Sequence, residues 1–374
     1  MFEEMTLEQL QIYWWVLIGI LGAALVFLLF VQGGQSLIYT LGKEKKDRDM
    51  MLSCLAHRWE LTFTTLVTFG GAFFASFPLF YATSFGGAYW AWIVLLFCFI
   101  IQAVSYSFKD SKHNLLGKGT YEAFLFINGI MAPLLIGVVV GSFFTGSSFI
   151  LNSSNSVSWT SSLRGLELLF SISNLSLGLS ILFLSRVLGN LYFINNISEE
   201  SFLKKAKKSL FINTGLLLVF FLYWLISLLF KDGFAISGES LIVVESNKYL
   251  HNLLEMPWNT SLLLAGVVLL LLGIGVNLLK KPSDKGIWIS GLGSALIVFS
   301  VFMLAGLNNT SFYPSTSDLQ SSLSIRNASS SQFTLMVMSY VSLLIPIVIA
   351  YIYYVFRVLT KKKVDLDNVE GHDY

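Results

Sequence analysis

The chain has 374 residues, of which 55% are hydrophobic and 12% charged, with a formal net charge of +2. Soluble globular chains carry roughly 25% charged residues, so this composition excludes a soluble enzyme, a secreted disulfide scaffold and, for want of a basic face, a nucleic-acid binder. Cys54 and Cys98 have no CxxC spacing and offer neither a disulfide framework nor a zinc site. The apolar excess is gathered into nine runs, each long enough to cross about 30 Å of hydrocarbon at about 1.5 Å per residue. The expected class is an all-α polytopic membrane protein with nine transmembrane helices.

The opening segment, MFEEMTLEQL, is acidic and lacks the basic stretch of a signal peptide, so the first run, 13–32, reads as a retained span. Further spans read at 61–82, 89–107, 121–144, 165–192, 209–230, 259–279, 286–307 and 333–357. None shows the period-2 alternation of a membrane barrel. The connections after the odd-numbered spans, with Arg58 and Arg186, hold twenty Lys and Arg; the opposite ones hold four, Arg164, Lys231, Lys248 and Arg326. Basic residues stay in the cytoplasm, so the N-terminus is expected outside and the C-terminus inside. The outer loops 145–163 and 308–332 are rich in Ser, Asn and Thr, and 233–257 is amphipathic enough to lie along the membrane surface. No linker divides the chain, which reads as one membrane domain over 1–374 with a polar cytoplasmic tail at 359–374. Gly71 with Ala75, and Gly291 with Ala295, stand four apart and permit close helix crossings. Trp14, Trp15, Trp90, Trp92, Trp258 and Trp288 fit an interfacial belt.

Ionisable groups at membrane depth are costly and mark function, and there are few. Glu60 opens the second span beside His57, Arg58 and Trp59. It is either a helix-start carboxylate favoured by the helix dipole or, with His57, a proton relay into a buried path. Glu122 reads as an interfacial carboxylate facing headgroups, and Arg164 with Glu167 as an ion pair on one helix face. Gln32 and Gln35 flank Gly33 and Gly34 at the end of span 1; their amides either bond between helices or line a hydrated entry. The histidines, His57, His113, His251 and His372, fall at or outside the interfaces. No span therefore offers an axial haem ligand at its middle. Met131, Met303, Met336 and Met338 read as packing residues, and no His/Cys/carboxylate cluster has metal-ligand spacing.

His57-Arg58-Trp59-Glu60 followed by VTFGGAFFASFPLFYATSFGGAYWA (67–91) resembles the second subunit of cytochrome bd quinol oxidases. That family reads Trp-Asp-Gly-Asn and then a Gly-Gly-Ala segment running to a Pro and a Tyr-Ala, here Trp59, Gly70, Gly71, Pro78 and Tyr81. The likeness continues through NGIMAPLLIGVVVGSFFTG (128–146). It returns at 312–354, where Asn327 and Gln332 fit the last outer loop and ninth helix, while 150–300 fits mainly by hydropathy. The resemblance implies two four-helix bundles, 1–144 and 165–307, with a peripheral ninth helix at 333–357. It also implies a haem-free chain in the bacterial cytoplasmic membrane, paired with a subunit I that carries two b haems, haem d and the quinol site. A small single-span accessory subunit, lipid and quinone are further expected partners. The implied reaction is quinol oxidation with reduction of dioxygen to water, generating a proton gradient.

Departures from the family pattern fall on the residues associated with a proton route. The acidic Asp-Gly-Phe-Asp segment is replaced by Gln32-Gly33-Gly34-Gln35, and the acidic position after span 3 by Ser107, near Lys109. Glu60 keeps a carboxylate where the family has Asp. Candidate proton-path positions are thus Glu60, His57, Gln32, Gln35 and Ser107. Two other readings compete: a secondary transporter with midplane polar residues and helices broken at Pro78, Pro133 or Pro346, and a purely structural subunit without a proton role.

Overall fold

In hydrocarbon a backbone amide finds no water, so an apolar run must satisfy its own hydrogen bonds, and a helix does this within one segment. The computed structural model describes residues 2–56, 58–111, 114–238, 241–279 and 285–359. His57, His113, His372 and the tail beyond 359 lie outside the described residues. In chain order the helices are α1 (Leu7–Ser36), α2 (Lys45–Leu55), α3 (Trp59–Ser76), α4 (Tyr89–Phe108), α5 (Lys118–Thr145) and α6 (Ile172–Asn196). They continue as α7 (Glu200–Leu229), α8 (Lys248–Glu255), α9 (Pro257–Leu279), α10 (Lys285–Gly306) and α11 (Gln332–Val355). All except α2, α3 and α8 are long and apolar enough to cross a membrane, eight among the described residues.

The second expected span is the exception. α3 has 18 residues, and Glu60, Thr62, Thr64, Thr65 and Thr68 dilute its apolar content. The residue before a proline is pushed out of the helical region; Phe77 (φ −131°, ψ 65°) breaks the helix ahead of Pro78. The chain resumes as one turn at Pro78–Tyr81 and a π-helical turn at Ala82–Gly87.

Several local expectations are corrected. The segment expected to open the fifth span carries positive φ at Arg164 (36°) and Gly165 (99°), then a 3₁₀ turn at Leu166–Phe170. Arg164 and Glu167 therefore do not share a helix face: Arg164 lies 5.3 Å over the Tyr89 ring, and a Glu167 oxygen accepts from the Gly165 amide at 2.8 Å. The true helix starts at Ile172, where the Ser171 hydroxyl caps the Asn174 amide. The stretch 233–257 is mostly not a surface helix. Strands β3 (Gly233–Ser237) and β4 (Leu241–Glu245) pair antiparallel, and only α8 is helical; the alternation Leu241, Val243, Glu245 suits a strand better than a helix. A smaller hairpin, β1 (Phe149–Leu151) with β2 (Val157–Trp159), lies in the preceding polar loop.

α1, α5, α6 and α10 form the enclosed centre, while α4, α7, α9 and α11 expose more of their surfaces. Glycines set the closest approaches. A methyl at Gly33 would collide with the α6 backbone at Ser185 and Arg186, and one at Gly129 would stand 2.6 Å from the Gln32 carbonyl. Gly291 takes the Phe27 ring of α1, whereas Gly71 is exposed with nothing within 4 Å and mediates no crossing within this chain. The tryptophan belt is also only partial. Trp90, Trp258 and Trp288 are exposed, but Trp14 and Trp15 are buried, donating to Ser339 Oγ at 3.1 Å and to the Phe302 carbonyl at 2.9 Å.

Candidate functional site

One end of the molecule gathers α2, the Lys-rich start of α7 and the last turns of α1. Here Gly33 and Gly129 let the α1 backbone lie against α6 and α5, which fixes the direction in which α1 projects its amides. Gln32, Gln35 and Ser36 have no exposed surface. Gln32 Nε2 donates to Gln102 Oε1 of α4 at 3.2 Å, and Gln35 Nε2 donates to Tyr106 Oη at 3.0 Å. Among the described residues, Gln32 Oε1, Gln35 Oε1, Gln102 Nε2 and both polar atoms of Asn128 on α5 are buried without a hydrogen-bond partner. A dry unsatisfied polar group costs about 1–3 kcal/mol, and internal water is the usual partner of such groups.

The structure unites some predicted residues and separates others. The Trp59 ring, at the start of α3, stacks on Tyr106 at 6.0 Å with a 9° interplanar angle, which brings the α3 opening to the amide cluster. Glu60 is exposed, with no hydrogen bond or ion pair to the cluster. Ser107 is exposed on another face of α4 from Tyr106. Glu122 does not face headgroups: it is buried, and its carboxylate lies 2.9 Å from Arg48 Nε of α2. In the turn after α1, burial and then the Glu122 carboxylate raise the Tyr39 phenol above its usual range, against Arg48. Asp47, fully buried, pairs with Lys205 at 2.9 Å and fastens α2 to α7. In α2, burial pushes the Cys54 thiol up to about 12 despite Arg58 nearby, leaving it a packing residue.

Gln102, Tyr106 and Asn128 were not singled out by the sequence, although polar residues inside runs 89–107 and 121–144 were visible there. The motif positions shape the outer end and the broken helix. Tyr81 stacks on Phe85 at 4.7 Å, and Gly70 faces the same ring. Asn327 Oδ1 accepts from the Ser324 amide at 2.7 Å, and Gln332 Nε2 donates to the Met5 carbonyl at 3.0 Å, tying α11 to the N-terminus.

A cavity of about 70 Å³ between α5, α6, α7, α9 and α10 is lined by apolar side chains such as Leu177, Leu217, Phe221 and Val301, with Ser180 as a hydroxyl and no imidazole or thioether. Met303 is fully buried against Gly19. His251 sits on α8, 2.9 Å from Glu245. These residues do not fit axial ligation of a porphyrin, and no metal-holding group of His, Cys, Asp or Glu exists among the described residues.

Fold and site together define a multi-pass helical membrane protein whose buried polar groups between the spans are largely neutral amides and hydroxyls. A family model described as cytochrome bd terminal oxidase subunit II matches residues 10–359, and the chain belongs to that family. It is thus a subunit of an oxidoreductase complex, a terminal oxidase. The chain is 28% identical over 360 residues to cytochrome bd-I ubiquinol oxidase subunit 2 of Escherichia coli (strain K12), covering 92% of each. It is 26% identical to a probable cytochrome oxidase subunit 2 of Haemophilus influenzae, covering 88% of this chain and 89% of the relative. The bd oxidase structure from Geobacillus thermodenitrificans shares the fold, with a TM-score of 0.63 at 13% identity over 93% of this chain and 98% of that one.

Proposed function

We propose that this chain is the haem-free partner of a subunit I bearing two b haems and haem d, in a bacterial cytoplasmic-membrane quinol oxidase that reduces dioxygen to water. α3 with its broken continuation is then a ninth span, the basic end is cytoplasmic, and the helices divide into two four-helix bundles with α11 at the periphery. Within that complex the amide pocket of Gln32, Gln35, Gln102 and Asn128 serves as a neutral, water-holding stretch beside Glu60. An amide cannot ionise, so protons would cross the pocket on water, with Glu60 collecting them at the cytoplasmic rim. The observation supporting this reading is the set of five buried, unpartnered amide atoms on three helices, where the family pattern has acids on α1.

Quinol-driven oxygen uptake per haem d, followed from pH about 6 to about 8, tests it. Glu60→Gln keeps shape while removing ionisation and should slow uptake by about tenfold or more, with haem content unchanged. Glu60→Asp should restore most of the rate. Full activity in Glu60→Gln would make that carboxylate a helix-start charge and move proton entry to the partner subunit.

A further inference from the structure

Arg186 lies on α6 at the basic end, where α1 and α6 cross backbone to backbone at Gly33. Its neighbours at this end have counter-charges: Arg48 holds Glu122 at 2.9 Å, Lys205 holds Asp47 at 2.9 Å and Lys109 holds Asp110 at 3.1 Å. Arg186 has none. Half-buried, it donates from Nη2 to the Thr40 hydroxyl at 3.1 Å and rests 5.9 Å over the Phe183 ring, while its Nε is buried without a partner. A partly desolvated guanidinium with a free donor and no carboxylate is half of an ion pair.

The surface beside it indicates the other half. Phe183, one turn away toward the middle of α6, stacks on Phe220 of α7 at 5.6 Å with a 3° interplanar angle. Ile212 and Leu216 extend that strip along α7 and are 50% and 37% exposed. A half-buried cation sits at the basic end, and the Phe183–Phe220 stack lies beside it toward the middle of the two helices. An acyl chain with an anionic phosphate at its end matches both features, and a soluble anion matches only the first.

We propose that Arg186, positioned by Thr40, binds the phosphate of an anionic phospholipid in the leaflet at the basic end, with an acyl chain along Phe183, Phe220 and Leu216. A guanidinium suits this task because its fork meets two phosphate oxygens. A zwitterionic lipid brings its own cation and neutralises Arg186 less well. The site lies apart from the amide pocket, and the proposal does not depend on the proton reading.

The test is native mass spectrometry of the intact oxidase complex, titrated with phosphatidylglycerol and, in parallel arms, with phosphatidylcholine and inorganic phosphate. Arg186→Gln should weaken the tightest phosphatidylglycerol adduct by about fivefold, the effect of losing one basic residue at a headgroup. Arg186→Lys should fall between, and Lys204→Gln, an exposed cation 3.7 Å from Glu200 on α7, should change nothing. Equal affinity in Arg186→Gln and wild type overturns the proposal, as does phosphatidylcholine bound as tightly as phosphatidylglycerol. Displacement of the lipid by millimolar inorganic phosphate would reassign the site to a soluble anion. If Arg186→Gln does not assemble, Thr40→Val decides: it keeps the charge but frees the guanidinium, so an undiminished adduct there overturns the proposal.

Discussion

Gly33→Ala should disable assembly out of proportion to the single methyl it adds. The new Cβ would overlap the Ser185 carbonyl and stand 2.7 Å from the Arg186 amide nitrogen, where unstrained contact begins near 3.5 Å. α1 and α6 would have to part by about 0.8 Å at the nitrogen, and by more at the carbonyl. Both obstacles are backbone, so no rotamer change relieves them, and parting the helices would also lift Gly34 from Gly189 on the same seam. Overpacking typically costs 1–3 kcal/mol where side chains can yield; here the expected loss is about 3 kcal/mol or more. The control is Gly275→Ala on α9, where nothing lies within 4 Å and a helical alanine gains up to about 1 kcal/mol. The assay is the thermal midpoint of the intact complex, followed by haem absorbance, with the yield of chain recovered alongside its partner. Gly275→Ala should match or exceed wild type, and Gly33→Ala should lose several degrees or fail to assemble. A Gly33→Ala complex with the wild-type midpoint would refute the backbone-contact argument and, with it, the account of how the amide pocket is positioned.

Glu122→Gln should lower the thermal midpoint by the equivalent of about 2–3 kcal/mol, below the roughly 3–5 kcal/mol of a fully buried pair, because Arg48 keeps 23% side-chain exposure; Arg48→Met with Glu122→Leu should recover most of it. At the opposite end, burial alone would raise the Glu245 carboxyl, but hydrogen bonds from His251 and Lys248 hold it below its ordinary 4.5. A depressed carboxylate stabilises above its unfolded value and loses that contribution as pH falls through the folded one. The midpoint should therefore decline below pH about 4.5, less steeply in Glu245→Gln. A reporter active only in the cytoplasm should be active when fused after Tyr374 or inserted near Lys46 and silent near Ser154; the reverse pattern would remove the proposed orientation.

The long elements were legible because membrane solvent leaves the chain one local choice. Runs read at 89–107, 259–279 and 286–307 became Tyr89–Phe108, Pro257–Leu279 and Lys285–Gly306. Errors gathered where local chemistry competes with hydropathy. Pro78 is plain in the sequence, but hydropathy alone does not register that it takes Phe77 out of the helix and shortens α3. Gly165 in the left-handed region delayed α6, and the β-branched run Ile242-Val243-Val244 took a strand pairing that a helical amphipathic reading missed.

The candidate site was half legible, and the reason is geometric. Gln32 and Gln35 are conspicuous in the sequence because two amides interrupt an apolar run. Their partners, Gln102 and Tyr106, lie some seventy residues away, and nothing local to either segment says which faces meet. That is decided by Gly33 and Gly129, which bring three backbones together and leave α1 a single rotation about its axis. Glu60 shows the converse. Its sequence position suggested a partner, but its neighbour Trp59 makes the contact, through Tyr106, and leaves the carboxylate at the surface. A surface carboxylate can collect protons but cannot carry them inward, and buried amides can order water but cannot hold a charge. The proposed proton route needs both, joined by water across the Trp59–Tyr106 stack, and on that proposal Trp59→Leu should impair oxygen uptake as strongly as Glu60→Gln.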